Sequence, residues 1–152
     1  MSDSNSTQIR EASIEDLGEL AELFRQYCRF YATSPTEESC TAFIKERLVK
    51  SDSLLFVAKS EGKLAGFVQI YPSFSSVAMQ KVWILNDLFV SREYRCRGIA
   101  GKLLKTVEKN GRTKNIFSIK LATEVTNHLA AKLYQSHGFK RIDNFHYYSK
   151  KL

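Results

Sequence analysis

The stretch from Trp83 to Leu104 constrains this chain more than any other. It reads Trp-Ile-Leu-Asn-Asp-Leu-Phe-Val, then Ser-Arg-Glu-Tyr-Arg-Cys-Arg, then Gly-Ile-Ala-Gly-Lys-Leu-Leu. The first block predicts a buried strand, the second a short basic loop, the third a glycine turn that opens a helix. A helix that begins on Gly98-Ile99-Ala100-Gly101 leaves its first backbone N–H groups without acceptors, and small side chains let a ligand reach them. Those groups and the positive end of the helix dipole make an anion site, to which Arg95, Arg97 and Lys102 add full charges. A phosphorylated ligand is the expectation.

The charge distribution agrees. The net charge of +7 breaks down to −3 over residues 1–90, +7 over 91–120 and +3 over 121–152. A nucleic-acid binder would also be basic. The chain, however, shows no helix-turn-helix, zinc-finger or aromatic-basic RNA-binding pattern, so a compact polyanion at one helix start is the simpler reading. Neither a nucleic acid nor a membrane is expected as a partner, since no apolar run approaches the roughly 18 residues of a span.

The 152 residues suffice for one domain with a core. The reading is a disordered tail over 1–7 and a single domain over 8–152. The first residues lack the basic start and apolar stretch of a signal peptide. Cys28, Cys40 and Cys96 are odd in number and scattered, which argues against a disulfide framework. Together these make the cytoplasm the expected location. The cysteines and His128, His137 and His146 show no zinc spacing, and no metal is expected.

Hydrophobic periodicity orders the elements. Residues 9–12 form a first strand. A helix from about 14 to 30 carries Ile14, Leu17, Ala21, Phe24, Tyr27, Cys28 and Tyr31 on one face. A second helix covers 37–49, with Cys40, Phe43, Ile44 and Leu48 inward. A hairpin joins 54–58 to 64–71. After a loop at Pro72–Ser76 comes the central strand, about 79–90, with Trp83, Leu85 and Phe89 on one apolar face that Asp87 interrupts. A third helix runs from 99 to a stop near Asn110-Gly111. A strand at 116–122, a helix capped by Asn127, and two last strands at 139–142 and 145–148 complete the chain. The fold class is mixed α/β.

Against this order of elements, Arg95-Cys96-Arg97-Gly98-Ile99-Ala100 fits Arg/Gln-x-x-Gly-x-Gly/Ala at the start of a helix after a central strand. Asn127, Ala130, Tyr134, Gly138 and Phe139 fit Asn-x-x-Ala-x-x-x-Tyr-x-x-x-Gly-Phe. With both motifs in order, residues 8–150 resemble the GNAT superfamily of acyl-CoA-dependent N-acetyltransferases. Leu85-Asn86-Asp87-Leu88-Phe89-Val90 is similar to the central strand of the diamine and polyamine acetyltransferases, many of which carry two adjacent acids where this chain has Asn86-Asp87.

The resemblance implies a central, mostly antiparallel mixed sheet flanked by about four helices, with acetyl-CoA as co-substrate. It implies that Arg95, Cys96, Arg97, Gly98, Ile99, Ala100, Gly101 and Lys102 hold the CoA pyrophosphate. It also implies that Phe89 and the backbone N–H and C=O of Val90 at the strand end, with Thr123 and Asn127, meet the pantetheine arm. The acceptor would be a small-molecule or protein amine, near Tyr27, Tyr31, Asn86 and Glu124, and similar proteins form homodimers.

The chemistry sets the remaining roles. An alkyl amine has a pKa near ~10.4, so only about one molecule in 2,500 is neutral at pH 7. A base must take a proton, and Asp87 and Glu124 are the candidate acids. Tyr134 is the candidate partner of the leaving thiolate. A thiol titrates near ~8.5 and a phenol near ~10, so a hydrogen bond that strengthens as sulfur gains charge is easier to defend than full proton transfer. Direct attack in a ternary complex needs no covalent enzyme intermediate. A CoA-binding module of the same fold with weak catalysis is the alternative.

Overall fold

The computed structural model describes residues 6–152. Most of the expected tail, residues 1–5, lies outside the described residues. The chain divides into two compact units, Met1–Ala122 and Thr123–Leu152.

The first unit is built on five strands in sequence order: β1 (Gln8–Glu11), β2 (Leu54–Ser60), β3 (Lys63–Ser75), β4 (Gln80–Val90) and β5 (Ser118–Lys120). All neighbours are antiparallel except β4 and β5, which run parallel. Between β1 and β2 lie α1 (Leu17–Phe30) and α2 (Glu37–Lys50), and between β4 and β5 lies α3 (Ile99–Thr113). Strand residues alternate between faces. Leu55, Val57, Phe67 and Phe89 join Leu20 and Leu23 of α1 and Ile44 of α2 in one core. α3 covers the opposite face with Ile99, Leu103, Leu104 and Val107 buried.

Several boundaries differ from the sequence reading for identifiable reasons. In α1 the buried centre is Leu20 and Leu23, while Ile14 and Tyr31 at the ends of the expected face are exposed. The expected loop at Pro72 is strand: β3 continues to Ser75, with Pro72 opposite Trp83. Pairing with β2 ends at Ile70, so beyond it β3 has a partner on one side only, and a residue without an N–H is tolerated there. Gly111 does not stop α3, which runs two residues further. A Cβ at Gly111 would lie 3.4 Å from the Trp83 ring, so the glycine lets helix and strand approach. β5 is confined to three residues, paired with Val82–Ile84 only. β4 runs six residues beyond that pairing.

One irregularity in β4 matters most for the site. Gln69 faces Asp87 and Ile70 faces Leu85, so Asn86 is an extra residue. Such a bulge moves every later side chain to the other face of the sheet. The expected single apolar face through Trp83, Leu85 and Phe89 is therefore wrong. Trp83 meets Gly111 of α3, whereas Phe89 packs in the core beneath α1 and α2, and Asp87 shares that second side.

The second unit holds α4 (His128–Ser136). Asn127 caps it, its side chain accepting from the Ala130 N–H at 3.2 Å, and Gly138 leaves it at φ +85°. The two strands expected at 139–142 and 145–148 are not formed; this segment has neither helix nor strand, and Phe145, Tyr147 and Tyr148 are exposed. Each is four residues long and interrupted by a basic or imidazole side chain, too little apolar surface for an isolated hairpin.

The close pairing of β3 and β4 gives a test. A Cβ at Gly66 would stand 2.7 Å from the Phe89 carbonyl oxygen, a backbone atom that cannot move alone. Gly66→Ala should destabilise the protein by about 2 kcal/mol, in the range of overpacked cores. Gly111→Ala meets only ordinary contact and gains helix propensity, and should be neutral or raise the melting temperature. Thermal unfolding of the two variants reads both outcomes.

Candidate active site

The turn at 95–98 is shaped by backbone conformation. Cys96 has φ +63° and Gly98 φ +74°, both left-handed. Gly98 is the N-cap of α3 and supplies no side-chain cap, and no acid occupies the first turn. The first intrahelical bond runs from the Lys102 N–H to the Gly98 carbonyl at 3.1 Å, which leaves the N–H groups of Ile99, Ala100 and Gly101 without intrahelical acceptors. No atom lies within 4 Å of where a Gly98 Cβ would stand. The turn thus opens α3 on three N–H groups without intrahelical acceptors, with Arg95, Arg97 and Lys102 around it in sequence.

Those side chains are already engaged in different ways. Arg95 turns back over β4. Its Nε donates to the Val90 carbonyl at 3.0 Å and its guanidinium lies over the Phe89 ring. Arg97 lies over Tyr94 and pairs with Glu61 at 3.1 Å. Glu61 comes from the β2–β3 turn, and with Thr7, Ser60, Arg97 and Lys102 it lines a cleft of about 390 Å³. The sequence reading passed over Glu61; its signal is an acid placed in a Ser-Glu-Gly-Lys turn. Cys96 is exposed on the turn.

At the end of β4 the backbone adds a donor. The Ser91 N–H pairs with the Ala65 carbonyl of β3 at 2.8 Å. By alternation, Val90 turns its own N–H and C=O away from β3, toward the edge where β5 pairing has ceased. The sequence reading left both groups for a ligand. The carbonyl already accepts from Arg95 on one of its two lone pairs, whereas the N–H has no bond to β3.

Three residues earlier lies a buried polar group. Asp87 is 4% exposed. Its Oδ2 accepts from Gln69 Nε2 at 2.8 Å and its Oδ1 from Asn86 Nδ2 at 3.0 Å. Gln69 in turn accepts from Ser53 Oγ at 3.0 Å. The sequence reading missed Gln69 and Ser53; an amide inside the apolar run Leu64–Tyr71 was the available signal. Tyr27 of α1 donates its hydroxyl to the Asn86 carbonyl at 3.5 Å, beside the same carboxylate. Burial first, then the charge and hydrogen bond of Asp87, push its phenol far above the usual range. Burial and the same charge push Tyr71 up to about 12. Both phenols therefore stay protonated at neutral pH. Tyr27 also stacks edge-on against Tyr31, Phe67 and Phe89. The structure thus brings together Tyr27, Tyr31, Asn86, Asp87 and Phe89.

Thr123, Glu124, Asn127 and Tyr134 belong to the second unit. Glu124 is exposed, and its carbonyl accepts from the Asn127 N–H at 2.9 Å. Asn127 spends its side-chain oxygen on the cap, which leaves its amide nitrogen as the donor for a ligand. The Tyr134 ring meets Phe139 edge-on, 5.8 Å between centroids.

Known proteins with the same features are acetyltransferases. The profile of the acetyltransferase (GNAT) family matches residues 17–139. An uncharacterized N-acetyltransferase of Bacillus subtilis, YhfO, is 36% identical over 92% of this chain and 94% of its own. The spermidine N(1)-acetyltransferase of Thermoplasma acidophilum is 30% identical over 91% of each chain. The crystal structure of a probable acetyltransferase superposes with a TM-score of 0.89 at 35% identity, covering 95% of this chain and 97% of that one.

The turn makes its own prediction. Gly98→Ala meets no neighbour, so its structural cost is the left-handed backbone alone, about 1 kcal/mol. Its methyl group would stand in the open cradle. A small fall in melting temperature with a loss of binding to inorganic pyrophosphate of tenfold or more is expected; unchanged binding would remove the turn from the anion site.

Proposed function

Since the chain belongs to the GNAT family and is an acetyl-CoA-dependent N-acetyltransferase, we propose that it acetylates a small primary amine by direct attack while both substrates are bound. The observation that carries this reading is the unpartnered start of α3. Three N–H groups, the helix dipole and flanking cations suit the CoA pyrophosphate. Acetyl-CoA supplies an activated acyl group; the chain supplies position and charge. The Val90 N–H is the donor that meets the pantetheine arm or the thioester oxygen. In the second unit, the Asn127 amide nitrogen bonds the pantetheine, and the Tyr134 hydroxyl donates to the sulfur as it leaves.

The acceptor arrives as an ammonium ion and must lose a proton. Asp87 takes it, through the Tyr27 hydroxyl, which gives its own proton to the carboxylate as it receives one. The aromatic rings of Tyr27 and Tyr31 favour the cationic form on arrival. The amine nitrogen then attacks the thioester carbonyl, the C–S bond breaks, and the nitrogen's second proton passes to the departing sulfur, which leaves as the CoA thiol hydrogen-bonded by Tyr134. Rate comes chiefly from alignment. The polyamine-like central strand and the similarity to a spermidine acetyltransferase support a small amine over a protein amine. Free Cys28, Cys40 and Cys96 suit a reducing compartment, and the cytoplasm is the proposed location.

Thiol release from acetyl-CoA with spermidine, lysine, ethanolamine and a short peptide tests the reaction. At least one small amine should be turned over. CoA binding without turnover of any amine would leave only the binding module. With the best amine, Tyr134→Phe should lower kcat about 100-fold with little change in KM, the scale of a lost acid or hydrogen-bond donor; unchanged turnover would end its role. Glu61→Gln should release Arg97 toward the phosphates. An exposed ion pair contributes at most about 1 kcal/mol, so CoA should bind up to about fivefold more tightly in calorimetry.

A further inference from the structure

We propose that Gln69 is a positioning residue for the transfer: it fixes the Asp87 carboxylate through a side-chain relay that begins at Ser53. The proposal rests on Asp87 as the proton acceptor. Gln69 is fully buried on β3, with Phe67, Val68 and Ile70 buried around it. A leucine or methionine would fill this volume without desolvating an amide. An amide is retained there at a cost unless its groups are paired, and here each end is paired.

The chemistry of the relay fixes its direction. A carboxylate only accepts, so the amide must turn its NH₂ toward Asp87 and its oxygen toward Ser53. The Ser53 hydroxyl must then donate. The observed distances fit that sequence: Ser53 Oγ to Gln69 Oε1 at 3.0 Å, Gln69 Nε2 to Asp87 Oδ2 at 2.8 Å. Asn86 Nδ2 holds the other carboxylate oxygen at 3.0 Å. One donor on each oxygen fixes the plane of the group and leaves each oxygen a further lone pair to take a proton. Gln69 also faces Asp87 directly across the ladder, at the step where the register slips. Without this bond the carboxylate would be free to rotate at the most irregular point of β4.

Steady-state kinetics of the full chain with acetyl-CoA and spermidine test this, or with the fastest amine of the four above. Gln69→Leu removes the donor at similar volume, and Gln69→Met removes it while keeping the length of the side chain. Each should lower kcat about tenfold, the scale of one hydrogen bond to a charged group, and leave the acetyl-CoA KM within about twofold. Introduced on top of Asp87→Asn, neither should lower kcat further, because the effect travels through Asp87. Ser53→Ala, at the partly buried start of the relay, should lower kcat less and in the same manner, and it serves where a Gln69 variant folds poorly. The proposal is overturned if the Gln69 variants keep wild-type kcat while Asp87→Asn loses it. It is overturned equally if their loss is the same in both backgrounds. Wild-type kcat in Asp87→Asn would instead overturn Asp87 as base, and the relay with it.

Discussion

Between Gln69 and Ile70 of β3, the facing strand carries one residue more than the ladder needs, and Asn86 takes up the difference. Much of the site depends on that surplus. Ahead of the bulge, β4 sends Trp83 toward α3. Past it, the alternation is reversed, and Asp87 and Phe89 turn toward α1 and α2. The strand changes allegiance between two layers within four residues. The short parallel pairing with β5 ends just before the bulge, so the last part of β4 has backbone to offer a ligand as well as side chains.

The two ends of that segment work by different physics. At the Val90 end the chain presents fixed dipoles, which cost nothing to reorganise when charge develops. At the Asp87 end it buries a full charge, which is tolerable only because its neighbours donate to it. Arg95 links the turn to the strand by capping the Val90 carbonyl and covering Phe89. A cation that the motif alone would assign to phosphate therefore also fixes the strand terminus.

The sequence revealed local rules well and long-range consequences poorly. Gly98 and the small residues after it announced a helix start without side chains in the way, and the structure has that geometry. The order of the elements through α4 was also legible, since each carries its own periodicity. The bulge was not. Leu85-Asn86-Asp87-Leu88 breaks the apolar-polar alternation with two adjacent polar residues, but only the register with β3 shows that one of them is surplus. For the same reason Gln69 stayed hidden: its partner faces it across the ladder, eighteen residues away in sequence. Gly111 read as a helix stop because a glycine beside asparagine usually is one, whereas here α3 continues past it with the Trp83 ring packed close by. The terminal aromatic segments matched a strand pattern, but pattern without a pairing partner does not make a ladder.

The anion cradle is written in main chain rather than side chain. Every residue type except proline carries the same N–H, so the donors survive side-chain changes that keep Ile99 apolar in the core and Ala100 small. Mutation can readily retune the rim, where Arg97 is balanced against Glu61, and adjust affinity in small steps. The seat itself fails only through the left-handed bend at Gly98. A lineage built on this turn is thus free to vary the Tyr27 and Asp87 end of the sheet while the helix start keeps its N–H donors almost by default.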